Sequence, residues 1–514
     1  MSPSLAEAVA ELPVLLRDHL LVSGCAIMIG VALGLPLAVW AARDDRARRP
    51  LLALAGLVQT VPALALLALF YPMLLIAAQA SGLAIPALGF LPALLALSLY
   101  ALLPILRNGI AALRNLDPDL IEAADGLGMT GRQRLRLVEL PLGAPVILAG
   151  IRTASVWTIG AATLATTVGQ PSLGNLIFSG LQTENWVRVL VGCAAAAGLA
   201  LVVDGLLGLV ETGLARRSRR RVGLGLAGIA AGLAFAVAPL PATGPATETM
   251  IVGAKNFSEQ YILARVIEQR LEAAGLRTGR RDNLGSTVAY QALAAGDVAV
   301  YVDYAGTLWA NILGRRDTPP PEEMRSVLAR ELRARDGVRL LGALGFENAY
   351  ALAMRRDRAE ALGIRTLDDL ARHAPRLRLA ADLEFLSRPE WRAVRDAYGL
   401  TFAEQRSYSP TFMYRAIAGG SAEVITAFSS DGRIAALDLV ILADPRRALP
   451  SYDALLLLAP DHADDLRLVG ALRPLIGALP VDRMRRANLM VDRDEDKRTP
   501  AEAACWLDPE SCRP

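Results

Sequence analysis

Few side chains in this sequence are placed to do chemistry. Lysine occurs only at 255 and 497, so nearly all positive charge is arginine. Neither lysine stands in a Gly-x-x-x-x-Gly-Lys-Ser/Thr loop, so ATP hydrolysis by that phosphate cradle is not expected here. His19, His373 and His462 are scattered, and no Cys/His spacing suits a metal. No nucleophile–base set is visible. What remains is recognition. Lys255 lies just ahead of Asn256, Glu259 and Gln260. Glu259 and Asp303 read as groups that orient neighbours. Arg388 carries a two-pronged donor suited to a carboxylate. Aromatic residues make up only 5% of the chain, so each one near these groups carries weight. An aromatic face attracts a cation by about 2 kcal/mol when desolvated.

A second constellation is contiguous. Glu122-Ala123-Ala124 is followed after three residues by Gly128, after nine more by Val138, and then by Glu139-Leu140-Pro141. Gly128 permits a tight turn between two helical pieces, and Pro141 can begin the next helix.

The elements that hold these residues differ between the two halves. With 514 residues, two to four domains are expected. Apolar content is 53% and charge 20%, and the two separate along the chain. Net charge of +3 is too small to argue for nucleic acid. Six apolar runs are about long enough to cross a bilayer: Leu20–Ala41, Leu51–Gln79, Leu83–Leu106, Gly143–Val168, Val187–Leu214 and Val222–Leu240. Arginine clusters follow the first, third and fifth runs, at 43–49, 107–136 and 216–221. They share one side if the N-terminus is outside, which places the Glu122–Pro141 loop in the cytoplasm. Pro36, Pro62, Pro86 and Pro92 read as tolerated kinks. Gly160, Ala161, Ala162 and Ala165 offer close helix packing. A Pro/Gly linker at Pro239–Pro245 leads outside the cytoplasm. Cys505 and Cys512 can pair in an oxidising compartment or remain two thiols. Beyond residue 249, strand candidates at Met250–Val252, Val298–Val302, Val338–Leu344 and Val424–Phe428 alternate with helical patterns, implying an α/β fold.

The Glu122–Pro141 spacing resembles the cytoplasmic loop by which ABC importer permeases dock on their ATPase, with Val138 where isoleucine is usual. The resemblance implies that Glu122, Ala123, Ala124, Gly128, Leu140 and Pro141 dock an ATPase. Five segments of the second half are similar to the substrate-binding proteins of betaine, choline and osmoprotectant importers. They are Ile251–Gln260, Asn283–Thr287, Asp303–Thr307, Phe346–Leu352 and Phe428–Ile434. The fold class implied is multi-domain: an α-helical transmembrane permease of about six spans, then an α/β two-lobed periplasmic-binding-protein-like domain. Expected boundaries are 1–221 for the permease with five membrane helices, 222–248 for the sixth helix and linker, and 249–514 for the binding domain. Its lobes are expected at 249–343 with 446–514, and at 344–445.

The resemblance also implies a ligand and its contacts. Tyr304, Tyr350, Phe428 and Tyr452 match an aromatic box for a quaternary ammonium, Phe428 standing where tyrosine is common. Lys255, Arg388 and Thr307 match the holders of a ligand carboxylate, and Gln260, Asn256 and Ser286 are further polar contacts. Together they imply a zwitterion such as glycine betaine, carnitine, proline betaine or ergothioneine, with choline binding less well. A separate ATPase subunit binds ATP, the chain needs no cofactor or metal of its own, and a homodimer in the inner membrane is implied. Two other readings remain: a transmembrane sensor and a choline-specific importer.

Overall fold

A computed structural model describes residues 3–83, 85–183, 185–238, 249–315, 317–493 and 495–512. The chain divides into two compact units, one holding most of the helices up to about residue 238 and the other holding the residues from 249 onward together with Ser179–Trp186. The linker expected at Pro239–Pro245 lies outside the described residues.

Among the described residues of the first unit, five helices are long and apolar enough to cross a membrane: Ser4–Arg43, Phe90–Arg114, Gly131–Val168, Trp186–Ala215 and Arg219–Val237. The second apolar run is not one straight span. Helices Asp45–Thr60 and Ala63–Ser81 meet at a 100° bend. Pro62 does more than kink this run. It offers no N–H, and it forces Val61 before it into an extended conformation (φ −72°, ψ 126°), which ends the helix. The Tyr100 hydroxyl donates to the carbonyl of Val61 that the break exposes. Pro36, by contrast, stays inside its helix.

Close packing is found at three of the four expected small residues, Ala161, Ala162 and Ala165. Gly160 faces open space, although Ala162 and Ala165 are buried. Tight contacts are also made by other glycines, among them Gly30 against Ala101, Gly109 against Ala38 and Gly150 against Asn108, where an added Cβ would come within 2.8 Å, 2.7 Å and 2.5 Å of its neighbour. Several charges within the spans are paired. Arg152 bonds Asp204 and reaches Glu211, and Arg188 meets Glu7 and Glu11.

The second unit carries two five-stranded sheets. The first has the order β2-β1-β3-β10-β4, where β1 is Thr249–Lys255, β2 Arg277–Leu284, β3 Val300–Tyr304, β4 Arg339–Glu347 and β10 Asp453–Leu458. The second runs β7-β6-β8-β5-β9, with β5 Tyr350–Arg355, β6 Arg378–Asp382, β7 Glu404–Tyr408, β8 Val424–Phe428 and β9 Leu439–Ile441. The two are built alike. β1 pairs in parallel with β2 and β3, as β6 does with β7 and β8, and the remaining pairs are antiparallel. Strands β1, β3, β6 and β8 are buried nearly throughout, as expected for parallel strands covered on both faces. The chain crosses between the sheets from β4 to β5, with only Asn348 and Ala349 between them, and returns from β9 to β10. Cys505 and Cys512 form a disulfide at the end of the last helix, Pro500–Leu507.

Candidate functional site

Open parallel sheets present their ligands at the carboxyl ends of the strands, because helix N-termini and connecting loops converge there. In this unit Lys255 ends β1, Ser286 follows β2, and Tyr304 ends β3. In the other sheet Asp382 ends β6, Tyr408 ends β7 and Phe428 ends β8. All six line one cavity of about 490 Å³.

Nine of the ten ligand residues expected from sequence line this cavity: Lys255, Asn256, Ser286, Tyr304, Thr307, Tyr350, Arg388, Phe428 and Tyr452. Gln260 does not. It stands one layer behind, where its amide donates to the Tyr304 hydroxyl at 3.0 Å and its carbonyl accepts from the Lys255 N–H at 3.4 Å.

Three of the four expected aromatics touch. Tyr350 lies directly opposite Phe428 in the β5/β8 register, which brings their ring centroids to 5.0 Å. Tyr452 meets Tyr350 edge-on at 5.5 Å. Gly306 is what lets Tyr452 in, because a Cβ there would lie 2.6 Å from the phenol ring. Tyr304 stands apart from this trio and stacks on Phe257 at 6.2 Å. Phe257 lines the cavity and was not expected, although it sits inside the Ile251–Gln260 segment.

Both expected cations are paired within the protein. Lys255 is buried and its ammonium is bonded to the fully buried Asp303, which also accepts from the Tyr301 hydroxyl and the Tyr304 N–H. Its Nζ lies 5.3 Å from the centre of the Tyr304 ring. Arg388 is 3.6 Å from Glu390, which accepts a bond from the Tyr452 hydroxyl, and its guanidinium lies 5.4 Å from the Tyr350 ring. A buried charge is costly without a counter-charge, and both cations have one from the protein while lining the cavity.

Other lining groups escaped the sequence reading: Asn348, Asp382, Ser430, Asp431, Arg433, Asn488 and Asp492. Asn348, Ser430, Asp431 and Arg433 lie inside quoted segments. Asn488 and Asp492 come from the helix Val481–Asp492, which no segment marks. Asp431 grips Arg433 with both oxygens. Burial pushes the Asp492 carboxyl up to about 6 against the pull of Arg433. Burial likewise raises Glu259, opposed by hydrogen bonds from its neighbours, and raises the Tyr304 and Tyr452 phenols, aided by the charges of Glu259 and Glu390. Both phenols therefore stay neutral donors near pH 7.

The Glu122–Pro141 loop is built by local rules. Helix Pro118–Gly126 starts with Asp117 capping the Asp119 N–H and ends as Gly128 turns left-handed (φ 75°), its N–H donating to Asp125 O at 2.9 Å. Thr130 and Gln133 form a capping box for the next turn, which runs on through a wide turn at Leu135–Glu139 into helix Leu140–Ala162. Pro141 occupies the first turn of that helix, as expected. Glu122, Ala123, Gly128 and Pro141 are exposed, Leu140 is half-buried and Ala124 is buried. Leu127 is 78% exposed, an apolar side chain that a partner surface would cover. Arg134 ties the loop together, bonding Asp125 and Glu139 at 2.7 Å each.

A helical membrane unit followed by a two-sheet unit with a cavity at its strand ends defines a permease joined to a binding protein. The comparisons agree. Residues 248–508 match the substrate binding domain of ABC-type glycine betaine transport systems, and residues 32–216 match the inner membrane component of binding-protein-dependent transport systems. The chain belongs to the first family through its second half, and it is a multi-pass inner-membrane ABC importer component with both parts fused. It is 29% identical over 442 residues to the ergothioneine transport permease/ergothioneine binding protein EgtU of Helicobacter pylori (strain G27), spanning 83% of this chain and 77% of that one. It is 37% identical over 205 residues to the choline transport system permease protein OpuBB of Bacillus subtilis (strain 168), spanning 40% and 89%. Among solved structures, a glycine betaine/carnitine/choline ABC transporter is similar at 26% identity and TM-score 0.45, spanning 50% of this chain and 96% of that one. Such a component works with a partner ATPase and a small ligand.

Proposed function

We propose that this chain captures a zwitterionic quaternary-ammonium compound outside the cytoplasm and passes it through its own permease domain, driven by a separate ATPase. The observation that carries this reading is the convergence of Tyr304, Tyr350, Phe428 and Tyr452 on one cavity. A quaternary ammonium donates no hydrogen bond, so ring faces are its natural partners. Relatives named for ergothioneine, carnitine and choline fit that chemistry. Lys255, Arg388 and Thr307 then serve the carboxylate end, Lys255 and Arg388 sharing their charge with Asp303 and Glu390. That sharing supports a second reading, a choline-type cation without a carboxylate.

Residues 1–221 serve as the permease and 249–514 as the receptor, joined through 222–248. The N-terminus and the receptor lie outside the cytoplasm, on the arginine asymmetry. The Glu122–Pro141 loop receives the ATPase, which alone binds ATP; this chain performs no chemical step and needs no cofactor. One permease domain per chain calls for a homodimer. Tethering holds the receptor at about millimolar effective concentration over its permease.

The test is uptake of labelled glycine betaine, carnitine, choline and ergothioneine in proteoliposomes holding the chain and its ATPase, with Gly128→Arg beside wild type. A Cβ at 128 meets nothing within 4 Å, so the variant folds with modest strain from the positive φ. Uptake is expected to vanish while binding is unchanged. Normal uptake in the variant would overturn the docking role.

A further inference from the structure

Glu259 stands in the first turn of helix Ser258–Ala273 and is 3% exposed. A carboxylate so placed is retained only with full hydrogen-bond support. Its donors come from three parts of the binding domain. The Tyr304 hydroxyl, on the cavity side, donates to Oε1 at 2.6 Å. The Asn348 amide, in the two-residue crossing from β4 to β5, donates to the same oxygen at 3.0 Å. The Asn488 amide, from helix Val481–Asp492, donates to Oε2 at 2.8 Å.

Two of these donors reach further. The same Asn488 nitrogen donates to the carbonyl of Ser430 at 2.9 Å, in the loop that follows β8 of the second sheet. The backbone N–H of Asn348 donates to Tyr452 O at 3.0 Å, at the return crossing. The Ser430 loop is itself fastened to the first crossing. Ser429 N–H donates to Ala349 O at 2.9 Å, and Ala349 N–H donates to the Ser429 hydroxyl at 2.8 Å. One buried carboxylate thus joins a ring that faces the cavity to both crossings and to the second lobe.

We propose that Glu259 is the positioning residue that ties capture of a cation at Tyr304 to the arrangement of the two lobes. A hydroxyl donating to a carboxylate makes its ring more electron-rich, which favours a cation over that ring. A cation held there in turn favours the anionic form of Glu259, the form that accepts all three bonds at once. Glutamine cannot replace it. Its carbonyl oxygen can serve Tyr304 and Asn348, but its NH₂ then faces the donor nitrogen of Asn488. Turning Asn488 over to relieve that clash forfeits the bond to Ser430. The inference rests on the cavity being the ligand site.

The test is a double-mutant cycle on the full chain in nanodiscs, with glycine betaine and choline as probes. Tyr304→Phe keeps the ring and removes its bond to Glu259, and Asn488→Ala removes the tie to Ser430. No direct hydrogen bond joins Tyr304 and Asn488 among the described residues, so losses in affinity would multiply unless Glu259 couples them. Each single change is expected to weaken binding about fivefold and the pair by little more, whereas independent effects would give about 25-fold. Glu259→Gln is expected to lose about tenfold or more, with both further changes then nearly silent on it. Losses that multiply, or a Glu259→Gln chain that binds as wild type, overturn the proposal. Should Glu259→Gln fail to fold, the Tyr304/Asn488 pair decides alone. A wild-type chain that binds neither probe, nor carnitine or ergothioneine in the same assay, overturns the ligand reading itself, and this inference with it; binding by wild type with multiplying losses removes the relay only.

Discussion

The Glu122–Pro141 loop and the cavity are held together by different means. The loop is contiguous and largely exposed, held by capping bonds between near neighbours and by ion pairs from Arg134 and Arg43. The cavity gathers residues from Lys255 to Asp492, and its charges meet partners as distant as Asp303 from Lys255 or Asn488 from Glu259. A contiguous element can change sequence at its surface without unfolding. A convergent one cannot, because each buried group is another's counter-charge.

The sharpest way to break that contrast is to remove one member of the buried pair. Lys255→Ala leaves the carboxylate of Asp303 buried without its cation and should cost about 3–5 kcal/mol of stability, read from thermal unfolding of the binding domain by tryptophan fluorescence. A loss below about 1 kcal/mol would mean that the pair holds little together. Next in size are the rings. Tyr350→Ala and Tyr304→Ala should each weaken ligand binding tenfold or more, from about 1.4–2 kcal/mol lost. Tyr350 should be the more damaging, since it touches Phe428, Tyr452 and Phe385 at once. Wild-type affinity in both variants would remove the aromatic box. The smallest effect belongs to the loop. Asp125→Asn cuts an exposed ion pair with Arg134 and should change stability by less than about 1 kcal/mol, with ligand affinity untouched. A larger loss in the same melt would show that the loop is not locally held.

The same contrast explains what could be read from sequence. The loop's turn at Gly128 and helix start at Pro141 follow from residue type alone, because neighbours in the chain satisfy them. The strand-end residues were legible where short segments carry them, as with Tyr304 in Asp303–Thr307 and Phe428 in Phe428–Ile434. The pairing of Lys255 with Asp303 was not, since 48 positions separate them and only the β1/β3 adjacency brings them together. Asn488 and Asp492 gave no signal at all, being two polar residues on an ordinary amphipathic helix. Pro62 reads as a kink because proline's effect on one helix is local; the 100° turn and the Tyr100 hydroxyl that meets the broken end lie beyond that local signal.

The most direct test of the central claim is calorimetric titration of the full chain in nanodiscs with glycine betaine, carnitine, choline and ergothioneine, with glutamate as the control. The account predicts tight binding of at least one quaternary amine and none of glutamate, a betaine bound above choline marking a zwitterion site. Binding of glutamate, or of none of the four amines, would contradict it.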